Sequence, residues 1–230
     1  HNCLVGSEMC IRDRLYAMHV LIYDIEYRNG RIYASLSDIA KAFDHCNRYI
    51  MGFNFRNIGI NGNNLRLFLN ELDFSKVQII WNGKHSNRIE ICDGLPQGHN
   101  EGGPCYNIYV DDPLENCLNA VQLYAYNHNV SAFYFADDGL SFAINKENLQ
   151  KLINTESESV KKINYIMNND KSKIIKYSRD SDILFQMKNE DPLQMNNKPI
   201  PQFNNDKEQI IEFLGYHHHF DHNNFTKYHF

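Results

Sequence analysis

Phe133-Tyr134-Phe135-Ala136-Asp137-Asp138-Gly139-Leu140-Ser141-Phe142 decides how the chain is read. Val130 to Phe135 and Leu140 to Ile144 are β-prone runs, and the segment between them reads as a tight hairpin with Asp-Gly in its tip. Two adjacent like charges framed by aromatic residues repel one another beside a half-buried sheet, and a bound cation would relieve that cost. Alone, Asp-Asp-Gly reads as an ordinary polar turn, which is what most such tripeptides are. Asp38 supplies company for it. The run Arg31-Ile32-Tyr33-Ala34-Ser35-Leu36 ends at Ser37-Asp38 directly before a helical pattern, which projects a carboxylate from a second strand end; taken alone, Asp38 reads as a helix N-cap. Three carboxylates from two adjacent strands suit a pair of divalent ions about 3.5–4 Å apart, one activating a hydroxyl and one holding leaving phosphates.

Further out, Asn47 to Phe55 predicts a helix closing at Gly59, with Asp44 as its N-cap, and Asn63 to Leu72 predicts another. Lys76 to Trp81, the Asn82-Gly83 turn and Asn87 to Ile91 form a predicted hairpin leading into Gly94-Leu95-Pro96-Gln97-Gly98. A helical pattern runs from Pro104 towards Ala125, bent at Asp112-Pro113, with Asp111-Asp112 reading as a helix-ending cap. Glu147 to Met167 is a long amphipathic helix, Lys173 to Ser178 a strand, 180–209 a polar insertion without regular structure, and Glu212 to Phe220 a final β-like run. Hairpins interleaved with helices imply an α+β fold, an antiparallel sheet covered by helices on one face.

The chain has 230 residues, 43% of them apolar and 13% aromatic, with a formal net charge of -5. No run approaches the roughly 18 apolar residues of a membrane helix, which excludes a helical membrane span. Six Cys without a CxxC pair exclude a zinc ribbon, and in a chain this long they favour reduced thiols in an intracellular setting, cytoplasm or nucleus, with no signal peptide. The acidic balance argues against a surface wholly given to nucleic acid, so any such binding must use a local basic patch. Leu4 to Arg14 back-translate to a stretch that resembles a sequencing adapter, and residues 1–14 are set aside as a scar. Residues 15–230 are then expected to be an internal piece of a longer gene product.

In order along the chain, Asp38-Ile39-Ala40-Lys41-Ala42-Phe43-Asp44, Gly94-Leu95-Pro96-Gln97-Gly98, Phe135-Ala136-Asp137-Asp138, Asn168 to Lys173 and Phe213-Leu214-Gly215 resemble the palm motifs of reverse transcriptases. The wording of the first two, and the hairpin ahead of the second, are most similar to the non-LTR retrotransposon branch, with group II intron enzymes next. The resemblance covers about residues 25 to 220. It implies a polymerase palm with partial fingers and little or no thumb, copying RNA into DNA by two-metal phosphoryl transfer. Asp38, Asp137 and Asp138 would be catalytic acids and metal ligands for two Mg²⁺ ions, with Mn²⁺ as a substitute, and Ile39 would lend a backbone carbonyl. Phe43 would wall off a 2′-hydroxyl, its alternative being core packing; Pro96, Gln97 and Gly98 would line the nucleotide and template pocket. Lys171 would sit beside the triphosphate, with Lys173 a rival. The implied partners are an RNA template, a DNA or RNA primer and dNTPs.

Where the family usually continues with Ser-Pro, His99-Asn100-Glu101-Gly102-Gly103 intervenes before Pro104, which predicts a delayed helix onset. That departure keeps two other readings open: an inactive palm relic that binds RNA or protein, and an RNA-copying RNA polymerase, the latter disfavoured by Phe43 and Ala136. His217-His218-His219 with Asp221 and His222 could suggest metal binding, but alternate residues of a strand face opposite sides. Lys161, Lys162, Lys171, Lys173, Lys176 and Arg179 form the densest basic cluster, suited to a phosphate backbone or to a solvated face. Cys46, Cys92, Cys105 and Cys117 read as buried or semi-buried thiols.

Overall fold

A computed structural model describes residues 21, 23–73, 76–95, 102–125, 127–135, 137–202, 209–213 and 216–220. Its centre is an antiparallel sheet of four strands, β1 (Ile32–Asp38), β2 (Ala132–Phe135), β3 (Asp138–Ala143) and β4 (Lys173–Tyr177), side by side in the order β4-β1-β3-β2. β1 therefore lies inside the sheet between strands that follow it by a hundred residues or more. Period-two alternation splits its side chains between two cores. Ile32, Ala34 and Leu36 join Leu140, Phe142, Ile175 and Tyr177 on one face. Tyr33 joins Leu149, Leu152 and Ile153 on the other.

The helices are α1 (residues 23–29), α2 (Arg48–Asn57), α3 (Gly62–Asp73), α4 (Gly102–Tyr109), α5 (Asp111–Ala120), α6 (Lys146–Lys162) and α7 (Ser181–Lys188). Leu149, Leu152, Ile153 and Val160 of α6 recur at helical spacing and are fully buried. Asn145 caps α6 by accepting from the Asn148 N–H at 2.8 Å, and Lys161 and Lys162 in the last turn suit the negative end of its dipole. The opposite face is not bare, as the one-face expectation had it: Ile25 of α1 with Leu123, Ala125 and Val130 closes the second core.

Several boundaries differ from the sequence expectations, each for a local reason. The long helix stops at Lys162, because Asn164 takes φ 64° and Met167 bridges to Ile39 in extended form. The break before α5 falls at Val110, so Asp111, Asp112 and Pro113 open a helix instead of ending one; acids suit the positive N-terminal end, and Pro loses nothing there. Helix α4 begins at Gly102, two residues ahead of Pro104. Asn47, not Asp44, caps α2, accepting from the N–H groups of Tyr49 and Ile50. The segment 180–209 contains α7, capped by Asp180, and a ribbon of Gln194–Met195 with Lys198–Pro199. The final run is a hairpin, Gln209–Phe213 with Tyr216–Phe220.

The predicted Asn82-Gly83 turn is present, with φ of 48° and 72°, between short ladders pairing Ile80–Trp81 with Lys84–His85 and Lys76–Val77 with Ile89–Glu90. No described helix is long and apolar enough to cross a membrane. Cys46, Cys105 and Cys117 are buried free thiols and Cys92 is an exposed one.

Among the described residues, Glu26 and Glu156 are buried acids. Glu156 of α6 is 1% exposed, and its Oε1 accepts hydrogen bonds from the Ser37 hydroxyl at 2.6 Å and the Tyr134 hydroxyl at 2.7 Å. Burial pushes this carboxyl above its ordinary value of 4.5, against the lowering effect of those two hydrogen bonds. The folded chain thus keeps a proton that the unfolded chain releases above that ordinary value. The group's stabilising contribution is complete below it and is lost as pH rises towards the folded-state value. Glu156→Gln, which cannot ionise, should therefore gain in melting temperature on the parent between about pH 4.5 and 7. Thermal unfolding followed by circular dichroism at both pH values reads this, and a gap that stays constant would refute the raised proton affinity of the buried acid.

Candidate active site

The antiparallel register sets the site. Asp38, the last residue of β1, is the direct cross-strand partner of Asp138, the first residue of β3. Phe135 pairs with Asp138 on the other side, leaving a two-residue link at 136–137. The tip of the hairpin is thus at Asp137, while Asp138 and Gly139 belong to the strand, a shift from the expected Asp-Gly tip. Asp137 is tied to β1 by its own backbone, since the Ile39 N–H donates to its carbonyl at 3.3 Å. Ile39 is 2% exposed and anchors this crossing in the core.

A turn at 168–172 holds Asp38 from the far side. The Asn168 N–H donates to the Asp38 carbonyl at 2.8 Å, the Asp38 N–H donates to the Ser172 hydroxyl at 3.4 Å, and that hydroxyl donates to the Asn168 carbonyl at 2.7 Å. The same turn carries Lys171, whose Nζ stands 3.6 Å from Asp38 Oδ1 while its side chain stays 70% exposed. Asp38 is therefore the end of a strand paired with a cation, not a helix cap. Lys173, the rival, lies within β4 opposite Leu36.

Negative charge accumulates here. The Asp138 carboxyl is pushed up to about 6, chiefly by burial, then by the charges of Asp137 and Asp38, with Lys171 pulling the other way. Carboxylate oxygens in excess of the local positive charge suit a hard divalent cation. The three acids do not close into a cage as their side chains stand. Among the described residues, no group of three or more His, Cys, Asp or Glu is arranged to hold a metal ion. The strand register brings the three positions together; tight convergence of the side chains, which the sequence reading expected, is not seen.

Phe43 is half-buried and stacks on Tyr106 of α4, ring centroids 4.6 Å apart at 25°. It thus satisfies the core-packing alternative in part while keeping an accessible portion. Tyr106 is fully buried, and its hydroxyl has no partner among the described residues. Pro96, Gln97 and Gly98 lie outside the described residues, as do Ala136 and residues 1–14. The approach to that loop is well fixed, because the Gly94 N–H donates to Cys46 O at 2.9 Å and the Leu95 N–H to Phe43 O at 2.8 Å. Arg48, buried at the start of α2, donates to Gly94 O at 3.2 Å, Leu72 O at 2.5 Å and Ile91 O at 2.8 Å.

The basic cluster expected from sequence is dispersed. Lys176 is buried, with Nζ donating to Met187 O at 2.6 Å and 3.7 Å from Glu190; Arg179 pairs with Glu26 at 3.0 Å and lies over Tyr23. Of the late histidines, His217, His218 and His219 fall on successive positions of one strand, and their side chains lie outside the described part, with Asp221 and His222. An open cleft of about 570 Å³ beside α2, lined by Arg48, Tyr49, Phe53 and Arg56 among others, shares no residue with the aspartate row. Sequence reasoning missed Ser172, Arg48 and Glu156. Only Glu156 left a signal: it is an acid on the apolar stripe of α6, four residues after Leu152 and four before Val160.

The sheet order, the helices packed on it and the acids at the end of its two inner strands define the palm of a nucleotide polymerase. The chain belongs to the reverse transcriptase (RNA-dependent DNA polymerase) family, whose model matches residues 10–218. Among solved structures it is similar to apo telomerase from Candida tropicalis truncated from its C-terminal domain, with a TM-score of 0.59 and 15% identity over 74% of this chain and 36% of that one. Telomerase from Candida albicans, solved with a fragment of telomeric RNA, matches with a TM-score of 0.46 and 10% identity over 70% of this chain and 30% of that one. The chain thus spans about a third of the length of these structures. A search of curated proteins returned no match.

Gly94 gives a direct test of how the loop is held. It sits at φ +81°, and an added Cβ would meet Asp44 O at 2.7 Å and Phe43 O at 2.9 Å, both backbone atoms that cannot rotate away. Gly94→Ala should cost about 1–3 kcal/mol of stability. Urea unfolding measures it, and a variant as stable as the parent would show that the crossing of 43–46 with 94–95 is looser than described.

Proposed function

We propose that this chain is the palm of an RNA-directed DNA polymerase from a non-LTR retroelement, adding deoxynucleotides to a primer 3′ end opposite an RNA template. The observation that carries the reading is the direct pairing of Asp38 with Asp138 at the sheet end, with Asp137 tied alongside and Lys171 3.6 Å from Asp38. Family membership supports it, since reverse transcriptase domains in general use divalent metal ions.

Asp38, Asp137 and Asp138 would hold the ions, which lower the pKa of the attacking hydroxyl and neutralise the charge that builds up on the phosphates. The donor chemistry fits, because these are hard oxygen ligands carrying more negative charge than Lys171 balances. Lys171 is placed on an exposed stem at the same rim, where its ammonium can pass from Asp38 to an incoming triphosphate and give a proton or positive charge to the departing pyrophosphate. Phe43, braced from behind by Tyr106, would set a flat apolar wall at the sugar. A ribose 2′-hydroxyl meeting that wall loses hydration without gaining a partner. Gln97 and Gly98, reached through the fixed Gly94-Leu95 segment, would meet the template base and the nucleotide.

With Mg²⁺, a primed RNA template and dNTPs, the full-length protein that contains this chain should extend the primer. Asp137→Ala should lower the rate by roughly 10²-fold or more, the scale of losing one preorganised electrostatic group; extension at the parent's rate would remove Asp137 from the site. Phe43→Ala should reduce the preference for dNTP over rNTP by roughly tenfold or more. Single-nucleotide incorporation kinetics with both substrates test this, and an unchanged ratio would leave Phe43 as core packing alone.

A further inference from the structure

One row inside the sheet lies next to the aspartates and is built unlike the rest of the core. Ser37 of β1 pairs with Gly139 of β3, and Gly139 pairs in turn with Tyr134 of β2, so the three residues stand in line across three strands. The neighbouring line is Asp38, Asp138 and Phe135. Over the glycine, Oε1 of Glu156 accepts from both flanking hydroxyls, 2.6 Å from Ser37 and 2.7 Å from Tyr134. The space is filled: a Cβ on Gly139 would lie 2.1 Å from the Ser37 hydroxyl oxygen, 2.6 Å from Tyr134 Cε1 and 2.7 Å from Glu156 Oε1. The middle strand has no room here for any side chain beyond that of glycine.

We infer that Glu156 is a positioning residue: its carboxyl clasps β1 and β2 across Gly139 and so fixes the register in which Asp38 and Asp138 face each other. The inference rests on the polymerase reading above and adds to it a residue on α6 that touches neither substrate nor metal. Antiparallel strands with polar or small residues in a row are free to slip, and a one-residue slip carries every side chain to the other face. Ser35, Ser37, Gly139 and Ser141 give this part of β1 and β3 little shape of its own on the α6 face. A shared acceptor bonded to both strands that flank β3 supplies what packing does not. It also explains why an acid occupies the apolar stripe of α6, a place where a buried carboxyl is otherwise expensive. The acid does not need its charge for this. Burial raises its affinity for a proton, and it offers one oxygen as a double acceptor, which an amide reproduces.

The test compares Glu156→Gln, Glu156→Ala and a control of the same helix, Leu152→Ala, in the full-length protein. Two readouts are taken: primer extension, and Mn²⁺ binding followed by electron paramagnetic resonance. Glu156→Gln should stay within about twofold of the parent in both, whereas Glu156→Ala should lose about tenfold or more in kcat and in Mn²⁺ affinity, the range for residues that orient metal ligands from behind. Leu152→Ala, compared at matched fractions folded, should keep parental Mn²⁺ affinity. Equal losses in Leu152→Ala, or parental behaviour in Glu156→Ala, would overturn the clasp. Should Glu156→Ala fail to fold, Ser37→Ala and Tyr134→Phe each remove one arm and should each weaken Mn²⁺ binding; no effect in either overturns it too. A parent that binds Mn²⁺ with this pattern but extends no primer would sink the polymerase reading and leave the clasp standing. Extension that is indifferent to Glu156→Ala would do the reverse.

Discussion

The register between β1 and β3 is the constraint on which the rest depends. Strand pairing brings residue 38 opposite residue 138, and the features of the site follow from that one alignment. The turn at 168–172 can reach the Asp38 backbone only because β4 lies on the other side of β1. Lys171 comes to Asp38 for the same reason. Charge is then concentrated by topology: two strand ends and one link place three acids at one rim, and the half-buried Asp138 carboxyl bears the cost as an elevated proton affinity.

A second crossing secures the neighbouring chain. The N–H groups of Gly94 and Leu95 donate to the carbonyls of Cys46 and Phe43, and Arg48 collects carbonyls from Leu72, Ile91 and Gly94 with a single guanidinium. Phe43 and the loop beginning at Leu95 are therefore parts of one assembly. Tyr106 completes it from α4 through its stack on Phe43. Tyr165 adds a further tie, its hydroxyl donating to the Ala42 carbonyl at 2.5 Å. The segment after the first aspartate has no regular structure until α2, and it is fixed by side chains and carbonyls from elsewhere in place of a ladder of its own.

Much of this was legible in the residues. The strand ending at Asp38, the hairpin around Asp137, the Asn82-Gly83 turn and the strand from Lys173 all declared themselves by alternation and turn chemistry. Helix ends were read less well, because they are decided by contacts that sequence spacing does not encode. Met167 leaves the helical pattern to bridge with Ile39, and Val110, not the nearby proline, breaks α4 from α5. Asp111 and Asp112 looked like a cap because acids and Pro adjoin both ends of helices in different roles. The polar stretch after Arg179 hid α7, whose short apolar face was diluted by Asn and Asp around it. Pairing partners across the sheet were beyond reach for Ser172, Arg48 and Glu156, since their roles exist only once distant segments are adjacent.

The central place of β1 also bears on how the chain is made. Its cross-strand partner Asp138 follows Asp38 by 100 residues (138 − 38), and Ser172, which holds Asp38 from the other flank, is 134 residues away. At roughly 5–20 residues per second on a ribosome, β1 emerges about 5–20 s before its first neighbour exists. During that interval an apolar strand with both edges open is exposed to other nascent chains. Closure of such distant contacts is intrinsically slow, so yield in a heterologous host should be governed by this waiting strand and the chaperones that shield it, more than by the final stability of the fold.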